Sequence, residues 1–265
     1  MTSFVVWRSG TAARPASLYF ASDSRRSWNS GEKRDDCIKL FAPVGSPDIF
    51  GMVGADITFP EAALPEVCSR MDGKDVPRGQ MTSGYGRNDW VISALRERLA
   101  VLGSIGSFSI FHGTRNGFGM GATFAVFHIH FDPVDGSLRN DELEFSEEAS
   151  CAATLSGSGA GVLAEHLRFW HVQSGQYSRG FFSGFCDALR SGGDPLSGGA
   201  PQLLALGTTG MPRHLGVVTR SSAFYRGGDP CAAPLGAQWR NELFERVDAQ
   251  GRLLAGAQLQ PRPKS

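Results

Sequence analysis

The sequence has no excess of charge of either sign, since 26 lysine and arginine residues balance 26 aspartate and glutamate residues. A neutral chain lacks the strongly basic surface that binds nucleic acids or anionic membranes, so neither is predicted as a partner. No apolar run reaches the roughly 20 residues that a membrane-spanning helix needs. The composition therefore excludes a nucleic-acid-binding protein and an integral membrane protein.

Cysteine is scarce and unpaired in the sequence. There are five cysteines, an odd number, and no two of them form a C-x-x-C motif. This pattern argues against a disulfide framework or a zinc site. It is typical of reduced, mostly buried thiols in a cytoplasmic protein.

Motifs for cofactors are also missing. The glycines of 157–161 lack the G-x-G-x-x-G spacing of a dinucleotide-binding loop, and those of 117–121 lack the lysine of a phosphate-binding loop. His128 and His130 alternate on a predicted strand and would face the same side. Because no third ligand stands at a convincing spacing, we predict neither a metal nor a cofactor.

What the chain does have is enough apolar sequence for a sizeable core. Apolar residues make up 41% of the 265 residues, and neither a linker nor an internal repeat divides them. We therefore predict a single domain over 1–265. Blocks of strand and helix pattern follow each other in the order strands, helices, strands, helices, strands. That order is typical of an α+β protein whose helices pack on antiparallel sheets.

The boundaries of these elements follow from apolar alternation, helical spacing and Pro/Gly turns. The predicted strands cover 4–8, 17–21, 37–41, 49–54, 123–131, 203–206 and 215–219. The predicted helices cover 60–71, 90–102, 162–171 and 181–189. A loop is predicted over 72–88, and a last hairpin over 242–247 and 252–255.

The second residue of the sequence is a threonine, which removal of Met1 would place at the start of the chain. A free N-terminal threonine carries a hydroxyl and an amine on adjacent carbons. The α-amine of an ordinary chain titrates near neutral pH, so it can act as a base that activates the neighbouring hydroxyl. Thr2 is therefore a candidate nucleophile, and other motifs have to support it.

Five stretches support this candidate by their identity and order. They are Thr2, Ala-Ser-Asp-Ser-Arg at 21–25, Ile-Lys-Leu at 38–40, Ser-Gly-Ser-Gly at 156–159 and Asp-Pro-Leu-Ser-Gly-Gly at 194–199. In these stretches the sequence resembles the proteasome β-subunit branch of the N-terminal nucleophile (Ntn) hydrolases. In that family an Ala-Asp-Ser-Arg motif ends the second strand, and the catalytic lysine follows its aspartate by the sixteen residues that separate Asp23 from Lys39.

The resemblance implies a role for each matching residue. Thr2 Oγ would attack a carbonyl carbon and form an acyl-enzyme. Lys39, paired with Asp23, would favour the neutral amine, because a nearby like charge lowers the pKa of a cation. A backbone N–H near Gly54 would stabilise the developing oxyanion. Three further polar residues would surround the amine and orient it: Ser158, Asp194 and Ser197.

The resemblance also implies an architecture and partners. The expected fold is a four-layer αββα sandwich, in which two antiparallel sheets face each other between outer helices. The expected activity is that of a threonine-type peptidase on peptide or protein substrates, in a homo-oligomeric ring that could work with an ATP-dependent unfoldase. Two alternatives stay open. One is a non-proteolytic Ntn amidase acting on a small amide, and the other is a catalytically silent scaffold of the same fold.

Three features depart from the family pattern. The family has Gly-Gly where this chain has one glycine beside Val53, so the oxyanion donor at Gly54 is uncertain by one residue. An insertion is predicted around 72–88, and a C-terminal extension around 232–265. Such additions could alter assembly, or cover the site and restrict which substrates enter.

Overall fold

The computed structural model describes residues 2–28, 30–73, 75–101, 105–147, 150–175 and 177–263. Within these residues, strands and helices follow each other in the blocks that the sequence indicates. The strands are β1 (Phe4–Gly10), β2 (Pro15–Ser22), β3 (Arg26–Ser27), β4 (Lys33–Arg34), β5 (Leu40–Phe41), β6 (Asp48–Gly54), β7 (Phe108–Asn116), β8 (Thr123–Asp132), β9 (Ser137–Glu142), β10 (Cys151–Ser156), β11 (Gln202–Gly207), β12 (Arg213–Val218), β13 (Ala223–Phe224), β14 (Trp239–Asn241) and β15 (Arg246–Val247). The α-helices are α1 (Thr58–Asp72), α2 (Arg78–Met81), α3 (Gly84–Leu99), α4 (Ala160–Ser174) and α5 (Ser178–Ser191).

The described strands form two large sheets and one small one. The larger has eight strands in the order β10-β1-β2-β11-β12-β14-β15, with β13 also paired to β12. The second has five strands in the order β5-β6-β7-β8-β9, and β3 pairs with β4 alone. Neighbouring strands are antiparallel except β12 and β14, which run parallel. The α+β class predicted from the sequence is confirmed.

Alternating side chains of β1 explain how the eight-stranded sheet is covered on both faces. Phe4 and Val6 belong to a core cluster that also contains Phe111 of β7, so this face packs against the five-stranded sheet. Val5 and Trp7 point to the other face and pack with apolar residues of α4 and α5. Because both faces are buried there, β1 is apolar from Phe4 to Trp7 instead of alternating with polar residues.

A third cluster covers the five-stranded sheet. Apolar side chains of α1 and α3 pack there against residues of β6, β7 and β8. A row of buried positions along α1 supplies one side of this contact: Phe59, Ala63, Leu64, Val67 and Met71. The helices therefore lie on sheet faces, as the block order of the sequence indicates.

The predicted loop over 72–88 was wrong, because α2 and the first turn of α3 lie within it. The side chain of Ser83 accepts a hydrogen bond from the N–H of Gly86 at 3.0 Å, which caps α3 six residues before the predicted helix begins. Gly84 lies so close to β7 that a Cβ there would be 2.5 Å from Thr114 Cγ2. Glycine is needed here for close packing and not for a loop.

A buried charged cluster fixes α3 to the five-stranded sheet. Arg87 Nε lies 2.8 Å from Asp48 Oδ2, and His112 Nε2 lies 3.0 Å from Asp48 Oδ1. His112 Nδ1 is 2.9 Å from Asn88 Oδ1, and Arg87 Nη2 donates to Thr114 Oγ1 at 2.6 Å. All five side chains are buried. The sequence analysis did not find this cluster, because Arg87 and Asn88 lie in the predicted loop and no strand was predicted over β7, which carries His112 and Thr114.

The predicted C-terminal hairpin is present around 248–251, where Asp248 N–H donates to the carbonyl oxygen of Arg252 at 2.9 Å and Leu254 N–H to that of Arg246 at 3.0 Å, but its first strand is shorter than predicted. The side chain of Asn241 accepts hydrogen bonds from the N–H groups of Leu243 and Glu245, which turns the chain at 242–245. As a result β15 pairs with β14, and Leu253 forms only an isolated bridge to Val247. The segment that contains β14 and β15 thus lengthens the eight-stranded sheet at the edge away from β1.

Two expectations from composition can be compared with the structure. Cys37, Cys68, Cys151 and Cys186 are buried free thiols, and Cys231 is an exposed one, which agrees with the prediction of reduced and mostly buried cysteines. Among the described residues, no helix combines the length and apolar character needed to cross a bilayer.

Candidate active site

Thr2 lies immediately before β1, where its side chain is fully buried. Its Oγ1 accepts a hydrogen bond from Lys39 Nζ at 2.9 Å. Its carbonyl oxygen accepts one from the N–H of Gly159 at 3.3 Å. The first strand, the segment before β5 and the loop before α4 therefore meet at the residue that the sequence indicates as the nucleophile.

Lys39 and Asp23 form a fully buried ion pair, with Nζ 2.8 Å from Oδ1. Oδ1 also accepts the N–H of Ser3 at 3.2 Å, while Oδ2 accepts those of Gly198 at 2.9 Å and Arg25 at 3.3 Å. Burial raises the pKa of Asp23, and the charge and hydrogen bond of Lys39 act against that rise. Four donors around one carboxylate fix its position, and the carboxylate in turn fixes Lys39.

Gln202, at the start of β11, holds the backbone around this pair. Its Oε1 accepts the N–H of Lys39 at 3.0 Å. Its Nε2 donates to the carbonyl oxygens of Asp23 at 3.1 Å and Cys37 at 2.8 Å. One buried amide thus joins three segments of the site. The sequence analysis missed Gln202, because a single glutamine at the start of a strand has no pattern that marks it.

Ser158, Asp194 and Ser197 form a second group of the predicted residues. Both serine hydroxyls donate to Asp194 Oδ2 at 2.6 Å. Burial acts to raise the pKa of Asp194, but the hydrogen bonds from the two serines and from the N–H of Leu196 outweigh it and hold the pKa below its usual value. The hydroxyl of Ser3 donates to that of Ser197 at 2.9 Å and so connects this group to the start of β1.

Two glycines permit the close approach of the 156–159 loop to the start of β1. Gly157 has a φ of +92°, and a Cβ there would lie 1.9 Å from the carbonyl oxygen of Thr2. A Cβ on Gly159 would lie 1.9 Å from Ser3 Oγ and 2.9 Å from Ser197 Oγ. The glycines of this loop therefore serve contact with Thr2 and Ser3, which gives a physical reason for the Gly-Ser-Gly pattern.

Gly54, the predicted oxyanion donor, ends β6 and pairs with Phe108 of β7. Two residues earlier, the N–H of Met52 donates to the carbonyl oxygen of Lys39 at 3.1 Å. Since N–H groups alternate sides along a strand, that of Gly54 faces the same edge of β6 as that of Met52. This edge is the one on which Lys39 lies.

The structure thus brings the six predicted polar residues into two hydrogen-bonded groups. The first contains Thr2, Asp23 and Lys39, the second contains Ser158, Asp194 and Ser197, and both reach Ser3. Ser3 was not predicted either, although it follows the predicted nucleophile directly. In the described parts of the chain, no three His, Cys, Asp or Glu side chains are grouped as they would be around a metal ion.

Comparison with known proteins identifies the fold. No family model matches the sequence, and no curated protein matches it. Among solved structures, Anbu (ancestral beta-subunit) from Yersinia bercovieri matches 80% of this chain and 86% of its own, with 11% identity and a TM-score of 0.52. The Anbu complex of Pseudomonas aeruginosa, a helical assembly, matches 80% and 85%, with 17% identity and a TM-score of 0.49. Eukaryotic HslV from Trypanosoma brucei matches 78% and 99%, with 12% identity and a TM-score of 0.45.

The likeness to Yersinia Anbu shows a common fold. This fold agrees with the resemblance to proteasome-like proteins that the five sequence motifs indicate. At 11% identity the likeness carries no information on substrates, and the chemistry has to be argued from the site itself.

Proposed function

We propose that this protein is an N-terminal-threonine peptidase in which Thr2, freed by removal of Met1, is the nucleophile. One observation carries the proposal: Lys39 Nζ lies 2.9 Å from Thr2 Oγ1 and 2.8 Å from the buried Asp23. A buried lysine beside a hydroxyl, held by a carboxylate, has little structural value compared with apolar packing. It has a clear chemical use, because it polarises the hydroxyl and stabilises negative charge on its oxygen.

The reaction follows from these groups. The α-amine of Thr2, neutral because the Lys39 ammonium is near, takes the hydroxyl proton as Oγ1 attacks the carbonyl carbon of the scissile amide. The N–H of Gly54 donates to the oxyanion of the tetrahedral intermediate. The amine then gives its proton to the leaving nitrogen, the C–N bond breaks, and an ester to Thr2 remains. Water attacks this ester by the same steps, releases the acid and restores the hydroxyl.

The second group of residues orients the amine. Asp194 is held by the hydroxyls of Ser158 and Ser197, and Ser197 is held by Ser3. These groups supply hydrogen-bond acceptors around the start of β1, so the amine is fixed on the side of Oγ1 from which it can accept the proton.

The architecture and assembly belong to the same proposal. We infer a four-layer αββα sandwich, which the three core clusters support. We also infer that it forms a homo-oligomeric ring that acts on peptides, with an ATP-dependent unfoldase as its partner. The segment at 72–88 is proposed as an insertion and 232–265 as an extension of one domain. The free thiols support a cytoplasmic location.

The burial of Thr2 favours one alternative, an amidase that acts on a small amide. Thr2, Asp23 and Lys39 are fully buried, so a small substrate would need less opening of the site than a polypeptide. A silent scaffold is disfavoured, because a site without chemistry has no need to bury a lysine against an aspartate.

The first experiment is the intact mass of the purified protein, followed by hydrolysis assays. We expect a mass short by one methionine, and hydrolysis of short fluorogenic peptides that Thr2→Ala abolishes and Thr2→Ser retains in part. Thr123→Ala is the matched control, since Thr123 is exposed on β8. Cleavage of small amides but of no peptide would favour the amidase. A full-length mass, or full activity in Thr2→Ala, would contradict the threonine mechanism.

A further inference from the structure

His128 and His130 of β8 form a hydrogen-bonded group with Ser109 of β7. His128 Nε2 lies 2.9 Å from Ser109 Oγ, and His130 Nδ1 lies 3.2 Å from the same oxygen. All three side chains are half-buried. The two histidines therefore share one face of the five-stranded sheet, as their alternation in the sequence predicts.

This face is the one turned towards the eight-stranded sheet. The ring of His128 stacks on that of Phe111, with centroids 4.7 Å apart. Phe111 in turn stacks on Phe4 of β1 at 4.8 Å, two residues after Thr2. The group of Ser109, His128 and His130 thus lies between the two large sheets. Thr2, just before β1, lies at one end of this space.

Strand register places the histidines close to the proposed oxyanion donor. Val53, which precedes Gly54, pairs with Ser109, and Ser109 pairs with His130. Cross-strand neighbours are about 4.5–5.5 Å apart, so His130 lies roughly 10 Å from Val53. An extended peptide covers that distance with about three residues.

The second nitrogen of each ring is available to a ligand. For His128 Nδ1 and His130 Nε2, the described residues supply no hydrogen-bond partner. The charged residues that pair with the histidines are Asp141 opposite His128 and Arg139 opposite His130, both exposed on β9. Arg139 is already engaged by Asp135 at 2.9 Å.

The side chains of β10 that face the five-stranded sheet are not acidic. Ser156 pairs with Phe4 and Thr154 pairs with Val6, so β10 turns these two hydroxyl side chains towards the five-stranded sheet, beside the apolar Ala153. Because Ser109 Oγ bonds one nitrogen of each ring, the two outward nitrogens are one donor and one acceptor while both rings are neutral, and they become two donors once the pair is protonated.

We propose that His128 and His130 bind the carboxylate of an acidic side chain of the peptide substrate, about three residues from the scissile bond. The inference rests on the proposed peptidase function and adds a substrate class to it. Ser109 can donate its proton to only one of the two rings, so it sets complementary tautomers and orients both. Protonation of the pair gives a cation that matches a carboxylate.

The site should depend on pH. Burial and the neighbouring His130 lower the pKa of His128, although the charge of Asp141 acts in the opposite direction. Because the folded pKa lies below the usual value, His128 is mainly neutral at pH 7 and gains its proton only under mildly acidic conditions or when an anion binds. Preference for acidic substrates should therefore increase as pH falls.

Cleavage of a defined peptide library by protein lacking Met1 tests this, with products mapped by mass spectrometry. At about pH 6 we expect peptides with Asp or Glu at one position near the cleaved bond to be cleaved about tenfold more efficiently than peptides with Asn or Gln there. At about pH 8 we expect this ratio of cleavage efficiencies to be smaller. The double variant His128→Asn/His130→Asn should remove the preference, whereas His130→Lys should keep it at the higher pH. His166→Asn is the matched control, because His166 lies half-exposed on α4.

A binding measurement distinguishes a failure of this inference from a failure of the proposed function. Calorimetry with Thr2→Ala compares peptides that differ only by Glu or Gln, without any need for catalysis. Tighter binding of the Glu peptide that disappears with His128→Asn/His130→Asn supports the site, even if the wild type cleaves nothing. Cleavage of the library with equal use of acid and amide residues, or an acid preference that the histidine variants keep, overturns the site and leaves the peptidase standing. Absence of both cleavage and selective binding overturns both.

Discussion

The hydroxyl of Ser3 lies 2.9 Å from that of Ser197 and donates to it, although 194 residues separate them in the sequence. Both side chains are buried. This bond ties the residue after the proposed nucleophile to the loop that follows α5. It also links the two hydrogen-bonded groups of polar residues in the site through Ser3.

Ser3→Ala should therefore disturb the site without unfolding the protein. We expect a loss of about 1 kcal/mol in the free energy of unfolding, as for one ordinary buried hydrogen bond, and a larger relative loss of activity. Urea unfolding and peptide hydrolysis measure the two effects. Ser93→Ala, at an exposed position of α3, is the control. Unchanged kcat in Ser3→Ala would show that the amine is oriented by other groups.

Lys39→Met should abolish activity and weaken the fold. It leaves Asp23 buried without its ammonium, which typically costs about 3–5 kcal/mol. The double change Lys39→Met/Asp23→Asn should recover part of the stability, since no unpaired charge then remains, but none of the activity. Chemical unfolding of both variants beside hydrolysis assays tests this. Substantial turnover by Lys39→Met would remove lysine from the mechanism.

Gly159→Ala should reduce activity strongly. Its Cβ would lie 1.9 Å from Ser3 Oγ, so the 156–159 loop or the start of β1 has to move. Gly161→Ala is a matched control two residues further on, where a Cβ meets nothing within 4 Å. In α4 it should stabilise the protein by up to about 1 kcal/mol, because alanine favours helix. Equal activity of the two variants would contradict the proposed contact.

Asp194 should make stability depend on pH in the acid range. Its folded pKa is lower than its usual value, so the carboxylate contributes stability above the unfolded pKa of about 3.9. This contribution is lost as pH falls through the folded pKa. The urea midpoint of wild type should therefore decrease more between about pH 6 and about pH 2 than that of Asp194→Asn. Asp89→Asn, at an exposed site of α3, should follow wild type; parallel curves for all three proteins would exclude the effect.

Arg87→Met should be among the most destabilising single changes. It removes the partner of the buried Asp48 and the anchor of α3, at a typical cost of about 3–5 kcal/mol. Arg96→Met, on the exposed side of the same helix, should stay near wild type. Thermal or urea unfolding compares them. A small difference between the two variants would mean that apolar packing alone holds α3.

The sequence motifs marked Asp23 and Lys39 as candidates through a local and characteristic spacing. Asp23 and Lys39 stand sixteen residues apart, and the structure joins them at 2.8 Å. Apolar alternation also predicted the α+β class and most of the longer strands, but it missed β7, β9 and β10. Ser3 and Gln202 could not be predicted, since their partners lie 194 and 163 residues away and neither belongs to a motif.

The segment 72–88, which includes the first turn of α3, shows why local reading failed elsewhere. Its glycines and polar residues predict a loop, but Gly84 is required for contact with Thr114, and Arg87 is buried against Asp48. Tertiary contacts overrode local propensity there. The turn at Asn241 is a different case, because its side chain bonds the N–H groups two and four residues later, a local contact typical of asparagine that the sequence analysis did not use.

The pairing of the eight-stranded sheet has a consequence for synthesis on the ribosome. β1 pairs with β10, and β2 pairs with β11, which begins at Gln202, the residue whose amide holds Lys39. At roughly 5–20 residues per second, the ribosome needs roughly 10–40 seconds after starting to reach that point. Until then the threonine hydroxyl and its lysine lack the strand that fixes them. A growing polypeptide shorter than this therefore contains the proposed nucleophile and its lysine without the strand that positions them.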